Sequence, residues 1–324
     1  MLLRLATQID ANPIAHRPPD SRDALRARLS RLRAVVLLAG SVVANELRKA
    51  TGRSSLEMPV GNNRTVMDCW REQLVALAET VGLERLPVRV MIDRTARLPR
   101  HRNDHGPVTV SIEEDPTDLR GTGGLLCDLC QDYADDDLVL VTPASQILFE
   151  SLTNQLLAMA ELDADVTMVA SADGAPAGLQ LMRCGALRDI KRVGFVDFFE
   201  QALPKILERH DVRVVRYDQL TSRSLRTMDA YLSALQEYHQ QASGRLAPEM
   251  PFREQWQPSF SIVEPGAAVH GTAVIHDSVV LAGARVDRDA VLVRSVVCPG
   301  ASVEAGESHI DSLVCGRTPT LLGR

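Results

Sequence analysis

Ser261-Ile-Val-Glu-Pro-Gly-Ala-Ala-Val269 returns as Ser278-Val-Val-Leu-Ala-Gly-Ala-Arg-Val286, then as Ser295-Val-Val-Cys-Pro-Gly-Ala-Ser-Val303, and in truncated form as Ser312-Leu-Val-Cys-Gly316. Each copy begins 17 residues after the last. Val or Ile recurs about every five or six residues between glycine corners, the signature of stacked hexapeptide rungs. One such copy cannot bury its own apolar side chains; stacked copies bury them against each other. The period therefore predicts a short left-handed parallel β-helix over 261–324.

Working outward, the chain of 324 residues is long enough for two domains, and its 45% hydrophobic and 24% charged residues are ordinary for a globular protein. A net charge of −6 and a pI near 5.8 argue against a nucleic-acid or anionic-membrane binder, which needs a basic face. Six cysteines do not form a disulfide framework, which points to a reducing cytoplasm. No apolar run approaches a membrane span, and the opening Met1-Leu-Leu-Arg-Leu-Ala-Thr7 lacks a signal-peptide core, so a cytosolic protein is expected.

Residues 1–32 read as a Pro-containing arm followed by an Arg-rich helix with Leu25, Leu29 and Leu32 on one stripe, its arginines a solvated face. From 33 to 240, short Val-rich runs alternate with helices: Ala34–Leu38, a helix over Thr65–Ala78, Val88–Ile92, Val108–Ile112, a helix over Gly124–Asp132, Leu138–Val141, a helix through Met159, and Val166–Ala170. This alternation predicts an α/β domain, a Rossmann-like doubly wound and mostly parallel sheet. Ligands of such sheets sit at the carboxyl ends of the strands, here Ala39-Gly40-Ser41, the 115–124 loop and Thr142-Pro143-Ala144. The Pro- and Gly-bearing stretch 241–260 is expected to connect the α/β domain to the repeat.

Several motifs then fall in a familiar order. Leu38-Ala39-Gly40 opens a loop, Leu56-Glu-Met-Pro-Val-Gly61 follows, then Leu119-Arg-Gly-Thr-Gly-Gly124, Gly194-Phe-Val-Asp-Phe-Phe-Glu-Gln-Ala-Leu-Pro204 and Asp229-Ala-Tyr-Leu232. With the repeat behind them, they resemble the sugar-1-phosphate nucleotidyltransferases, such as glucose-1-phosphate adenylyltransferase and mannose-1-phosphate guanylyltransferase. The resemblance covers most of residues 33–316. It implies a nucleotidyltransferase (GT-A-like) domain that joins an NTP to a sugar 1-phosphate and releases pyrophosphate. The nucleotide would lie on Leu38, Ala39, Gly40, Ser41, Gly121, Thr122, Gly123 and Gly124, and carboxylates would hold magnesium.

The reactive positions that the resemblance points to are replaced. Ser41-Val-Val-Ala-Asn-Glu46 stands where further glycines and an arginine belong, and Ser55 where the signature lysine belongs. Ala144 and Ser224 occupy the two metal-binding aspartate positions, and only Ser171–Pro176 stands where a longer sugar-gripping insertion is expected. A catalytically degenerate protein follows, one that binds a nucleotide or nucleotide sugar as a regulatory or scaffolding subunit and forms homo- or hetero-oligomers through the β-helix. The alternative is an active enzyme with a rewired, magnesium-dependent site using Asp118 or Asp218, with Glu46 and Asp104 as further candidates. Other constellations read as structure: Cys127-Asp-Leu-Cys130 as a packed helical face rather than a zinc site, Cys298 and Cys315 as core filling, His101 to His105 as a polar loop, and Asp135-Asp-Asp137 as a solvated turn. His270, His276 and His309 leave a hexapeptide-repeat acyltransferase as the weaker alternative.

Overall fold

The computed structural model describes residues 22–40, 46–61, 63–92, 106–114, 120–190, 194–246 and 259–316. By compactness the chain divides into two units, Met1–Val42 with Trp70–Ser222, and Val43–Cys69 with Arg223–Arg324. A single boundary near residue 240 does not describe this grouping.

The first unit is built on a seven-stranded sheet. Its strands are β1 (Leu32–Leu38), β2 (Leu86–Ile92), β3 (Val108–Glu114), β4 (Leu138–Pro143), β5 (Val166–Ser171), β6 (Pro176–Arg183) and β7 (Val212–Tyr217), in the order β7-β5-β6-β4-β1-β2-β3. Ala34, Val35, Val36 and Leu37 are all fully buried, as a central strand covered on both faces requires. Parallel pairing holds β1 to β2 and to β4, β2 to β3, and β5 to β7. Only β6 is antiparallel, to both β4 and β5. The reason is its connection: Ser171-Ala-Asp-Gly-Ala175 closes as a tight turn with Gly174 at φ +81°, and a link this short cannot make a crossover.

Helices α1 (Arg22–Leu29), α2 (Val66–Val81), α3 (Gly121–Leu129) and α4 (Leu152–Glu161) intersperse these strands. Leu25 and Leu29 of α1 are buried as their spacing predicts, but the expected helix stops there and Leu32 opens β1 instead. Leu32 is β-region core: its strand carries Ala34 to Leu38 into the sheet. The arginines around α1 form ion pairs on this unit, Arg28 with Asp163 at 3.0 Å and Arg33 with Asp137 at 2.9 Å. One core cluster joins Val36, Val139 and Val141 of the sheet to Leu125 and Leu126 of α3 and to Val196, Phe198 and Leu203.

In the second unit, helix α5 (Met228–Leu246) runs past Gln241, where the connecting stretch was expected to begin. After it come short parallel strands whose register repeats the sequence period: Ser261–Val263 pairs with Ser278–Val280, that strand with Val296–Val297, and that with Leu313–Val314. Two further sheets follow the same rule, one through Ala268, Arg285 and Ser302, the other through Val274, Val291 and Ser308. Val280, Val286, Leu292, Val297 and Val303 point between them into one apolar core.

The serine that opens each copy has a defined task. Ser278 and Ser295 are fully buried. The Ser278 hydroxyl donates to the His276 carbonyl at 2.7 Å and accepts the Ser295 N–H at 2.9 Å; the Ser295 hydroxyl donates to Val293 at 2.9 Å and accepts the Ser312 N–H at 3.1 Å. A side-chain ladder thus runs beside the backbone pairing where each copy turns from one sheet into the next. The segment 43–69 joins this unit through specific contacts. Arg53 makes two hydrogen bonds to Glu264, at 2.7 and 2.9 Å, and the fully buried Tyr231 hydroxyl donates to the Pro59 carbonyl. His239 stacks on Phe260, and burial holds its imidazole below the ordinary histidine value.

Ser295→Ala removes one rung and leaves the Ser312 N–H without its acceptor. It is expected to lower stability by about 1–3 kcal/mol, whereas Ser312→Ala, at an exposed hydroxyl, costs under ~1 kcal/mol; denaturant unfolding of the two variants measures the difference.

Candidate functional site

In the first unit the strand order reverses at β1. The chain runs from β1 to β2 and β3 on one side and returns with β4 on the other, so the crevice at the carboxyl ends of β1 and β4 is where the topology places a ligand. Leu38 ends β1, and the next two amides, of Ala39 and Gly40, both donate to the Met91 carbonyl at 2.8 Å. A phosphate cradled here needs those N–H groups free and pointing outward. Both are already engaged by the neighbouring strand. Ser41 lies outside the described residues.

Across the crevice, the Ala144 N–H donates to the Leu38 carbonyl at 3.0 Å, and Trp70 Nε1 donates to the Ala144 carbonyl at 3.3 Å. Ala144 has no exposed surface. The polar groups beside it satisfy each other: the buried Gln146 donates from Nε2 to Thr142 Oγ1 at 2.7 Å. Gly178, at φ +88° in β6, makes room for that amide, since a Cβ there would stand 2.8 Å from Gln146 Oε1.

The Gly121–Gly124 stretch begins α3 and is held against Val196. Val196 N–H donates to the Arg120 carbonyl at 2.8 Å, Gly123 N–H to the Val196 carbonyl at 2.9 Å, and Phe198 N–H to Thr122 Oγ1 at 3.1 Å. A Cβ on Gly121 would lie 2.5 Å from the Val196 carbonyl oxygen, and Gly121 sits at φ +66°. Close approach of two chain segments therefore explains Gly121 and Gly123, while a Cβ on the buried Gly124 would meet the Arg120 side chain. The sequence contains the partner segment, Gly194 to Pro204, but not the fact that the two meet. Missed in the sequence was the π-helical turn Phe198–Ala202, whose Asp197 side chain caps it by accepting from Glu200 N–H at 2.8 Å.

Asp218 is exposed just beyond β7, while Asp104 and Asp118 lie outside the described residues. Ser55 and Ser224 belong to the second unit: Ser55 opens a short 3₁₀ turn capped by Ser54 and Glu57, and Ser224 is exposed at the end of a short strand. Magnesium held by protein needs anionic oxygens. The methyl of Ala144 and the hydroxyl of Ser224 do not fit that ion.

Other sequence candidates resolve individually. Cys127 and Cys130 are fully buried on α3 and its continuation. Asp137 accepts from Ala134 N–H and from Arg33, so it braces the turn before β4, while Asp135 and Asp136 are exposed. His276 is exposed in register with Val293 and Ile310, whereas His309 is in register with Leu292, so the two occupy different rows. His270 is exposed in a turn and bonds Thr272 at 3.0 Å. His101 and His105 lie outside the described residues. No helix among the described residues is long and apolar enough to cross a membrane.

No protein-family model matches the chain, and no curated protein matches it. Among solved structures it is similar to HddC from Yersinia pseudotuberculosis, with a TM-score of 0.44 and 14% identity over 64% of this chain and 100% of that one.

Gly121→Ala forces a methyl against the Val196 carbonyl and is expected to destabilise by roughly 2–4 kcal/mol. Gly194→Ala, at φ +86° but with nothing within 4 Å, should cost on the order of 1 kcal/mol. Equal losses in denaturant unfolding would mean that the close approach is not what Gly121 serves.

Proposed function

We propose that this chain is a catalytically degenerate nucleotidyltransferase-like protein that serves as a regulatory or scaffolding subunit, and that its C-terminal repeat is a left-handed parallel β-helix used for assembly. The motif order from Leu38 to Leu232 supports the family reading. The arrangement of Ala39, Gly40 and Ala144 supports the loss of activity.

One observation carries the proposal. At the carboxyl ends of β1 and β4, a buried methyl and two strand-engaged amides stand where a triphosphate would need donors and a metal would need a carboxylate. Electrostatic stabilisation of the α-phosphate is the main thing a protein supplies to phosphoryl transfer. Without the lysine, the arginine and the metal carboxylates, several kcal/mol of that stabilisation is missing, and at about 1.4 kcal/mol per tenfold the rate falls by at least on the order of three powers of ten.

The assembly role rests on the repeat. Among the described residues Leu313–Val314, paired with Val296–Val297, is the last strand of its sheet, and Val274 and Ile310, on one outward sheet face, are 54% and 62% exposed. Such edges and faces are places where a second subunit adds.

Purified protein incubated with each nucleoside triphosphate, magnesium and a panel of sugar 1-phosphates is expected to release no pyrophosphate above a protein-free control. Sustained turnover with any pair would overturn the proposal, and its loss in Asp118→Asn or Asp218→Asn would identify the rewired site.

A further inference from the structure

One position of the repeat changes chemistry along its stack. Glu264, Leu281, Cys298 and Cys315 are equivalent in successive copies. The registers Val296 to Leu313 and Val297 to Val314 place Cys298 beside Cys315 on neighbouring parallel strands, and the Cys298 N–H donates to the Val314 carbonyl at 2.8 Å. Their sulfur atoms are 3.8 Å apart. Adjacent strands lie roughly 4.8 Å apart, inside the Cα separations of roughly 4.4–6.8 Å that a disulfide spans.

The two thiols differ in access. Cys298 is 1% exposed, whereas Cys315 is exposed at the end of the stack. Cys127, Cys130 and Cys184 are buried in the other unit. An oxidant arriving from solvent therefore meets Cys315 with a second thiol directly beneath it.

We propose that Cys315 and Cys298 form a thiol-oxidation site that reacts with a low-molecular-weight disulfide of the glutathione type and closes into a disulfide across the last two copies of the repeat. In the first step the Cys315 thiolate attacks one sulfur of glutathione disulfide; a Cys315–glutathione bond forms, and glutathione leaves as a thiolate that takes up a proton. In the second, Cys298 gives up its proton and attacks the Cys315 sulfur, expelling the second glutathione. Two protein thiols are oxidised and one glutathione disulfide is reduced to two glutathiones.

The order of the steps follows from the surroundings. Burial and the neighbouring Cys315 thiol push the Cys298 thiol up to about 12, against the guanidinium of Arg53. Cys298 is thus a poor first nucleophile. Once Cys315 carries glutathione, its thiol no longer opposes the Cys298 thiolate, and proximity favours resolution. The product ties Leu313–Val314, a strand paired over two residues, covalently to its neighbour.

The test treats the full reduced chain with glutathione disulfide, counts thiols after denaturation and maps peptides. The expected result is loss of two of the six thiols, a Cys298–Cys315 linked peptide, reversal by dithiothreitol, and amide exchange at Leu313 and Val314 slowed by roughly tenfold to a hundredfold. Cys298→Ala should stop at glutathionylated Cys315, and Cys315→Ser should leave Cys298 unmodified. Glutathione persisting on Cys315 in the unaltered chain, a linkage through Cys69, or retention of all six thiols would overturn the proposal. Because mapping of the unaltered chain decides by itself, a variant that fails to fold does not obscure the answer.

Discussion

The carbonyl of Met91 accepts two hydrogen bonds, from Ala39 and from Gly40, at the point where the central strand gives way to its loop. A carbonyl has two lone pairs and can satisfy both donors, and at a half-buried strand end that pairing spares both N–H groups the cost of being left without a partner. The consequence reaches across the crevice. With β1 fixed to β2 in this way, its other edge receives the Ala144 N–H, and Ala144 in turn receives Trp70. The Ala39, Gly40 and Ala144 amides at this end of the sheet are thus engaged by its own backbone, and the proposed loss of phosphate chemistry depends on that engagement.

The C-terminal repeat follows a different rule. Its core is made by equivalent residues of successive copies, so a feature in one copy is either propagated or conspicuously broken. The serine ladder is propagated, and its hydroxyls accept the backbone N–H of the next serine from one copy to the following one. The column of Glu264, Leu281, Cys298 and Cys315 is broken at both ends. At one end, Glu264 accepts from Arg53 and from the Ala282 N–H at 2.7 Å, which fixes residues 43–69 to this unit. At the other, the column reaches solvent as a thiol.

Much of this was legible in the sequence because periodicity reports burial directly. The seventeen-residue period carries the register of three sheets, and the apolar run Ala34–Leu38 marked a strand of a sheet covered on both faces. The stretch Ser171–Pro176, too short for the expected insertion, is the turn that joins β5 to β6. Long-range meetings were not legible. Gly121 to Gly124 carry a nucleotide-loop pattern, yet Gly121 and Gly123 lie against Val196, a contact between residues far apart in sequence that no local pattern encodes. Likewise, nothing in the neighbourhood of Arg53 announces Glu264. The end of α1 was misjudged because Leu32 continues a helical stripe while also beginning a strand, and tertiary context chose the strand.

The Ala39 and Gly40 amides report directly on whether this loop receives phosphate. Hydrogen exchange resolved to Ala39 and Gly40 by NMR, with and without magnesium and a saturating nucleoside triphosphate, should find both protected in the free protein and unchanged by the nucleotide. Unprotected amides in the free protein, or a nucleotide-dependent change at Gly40, would show that this loop still receives phosphate and would contradict the account.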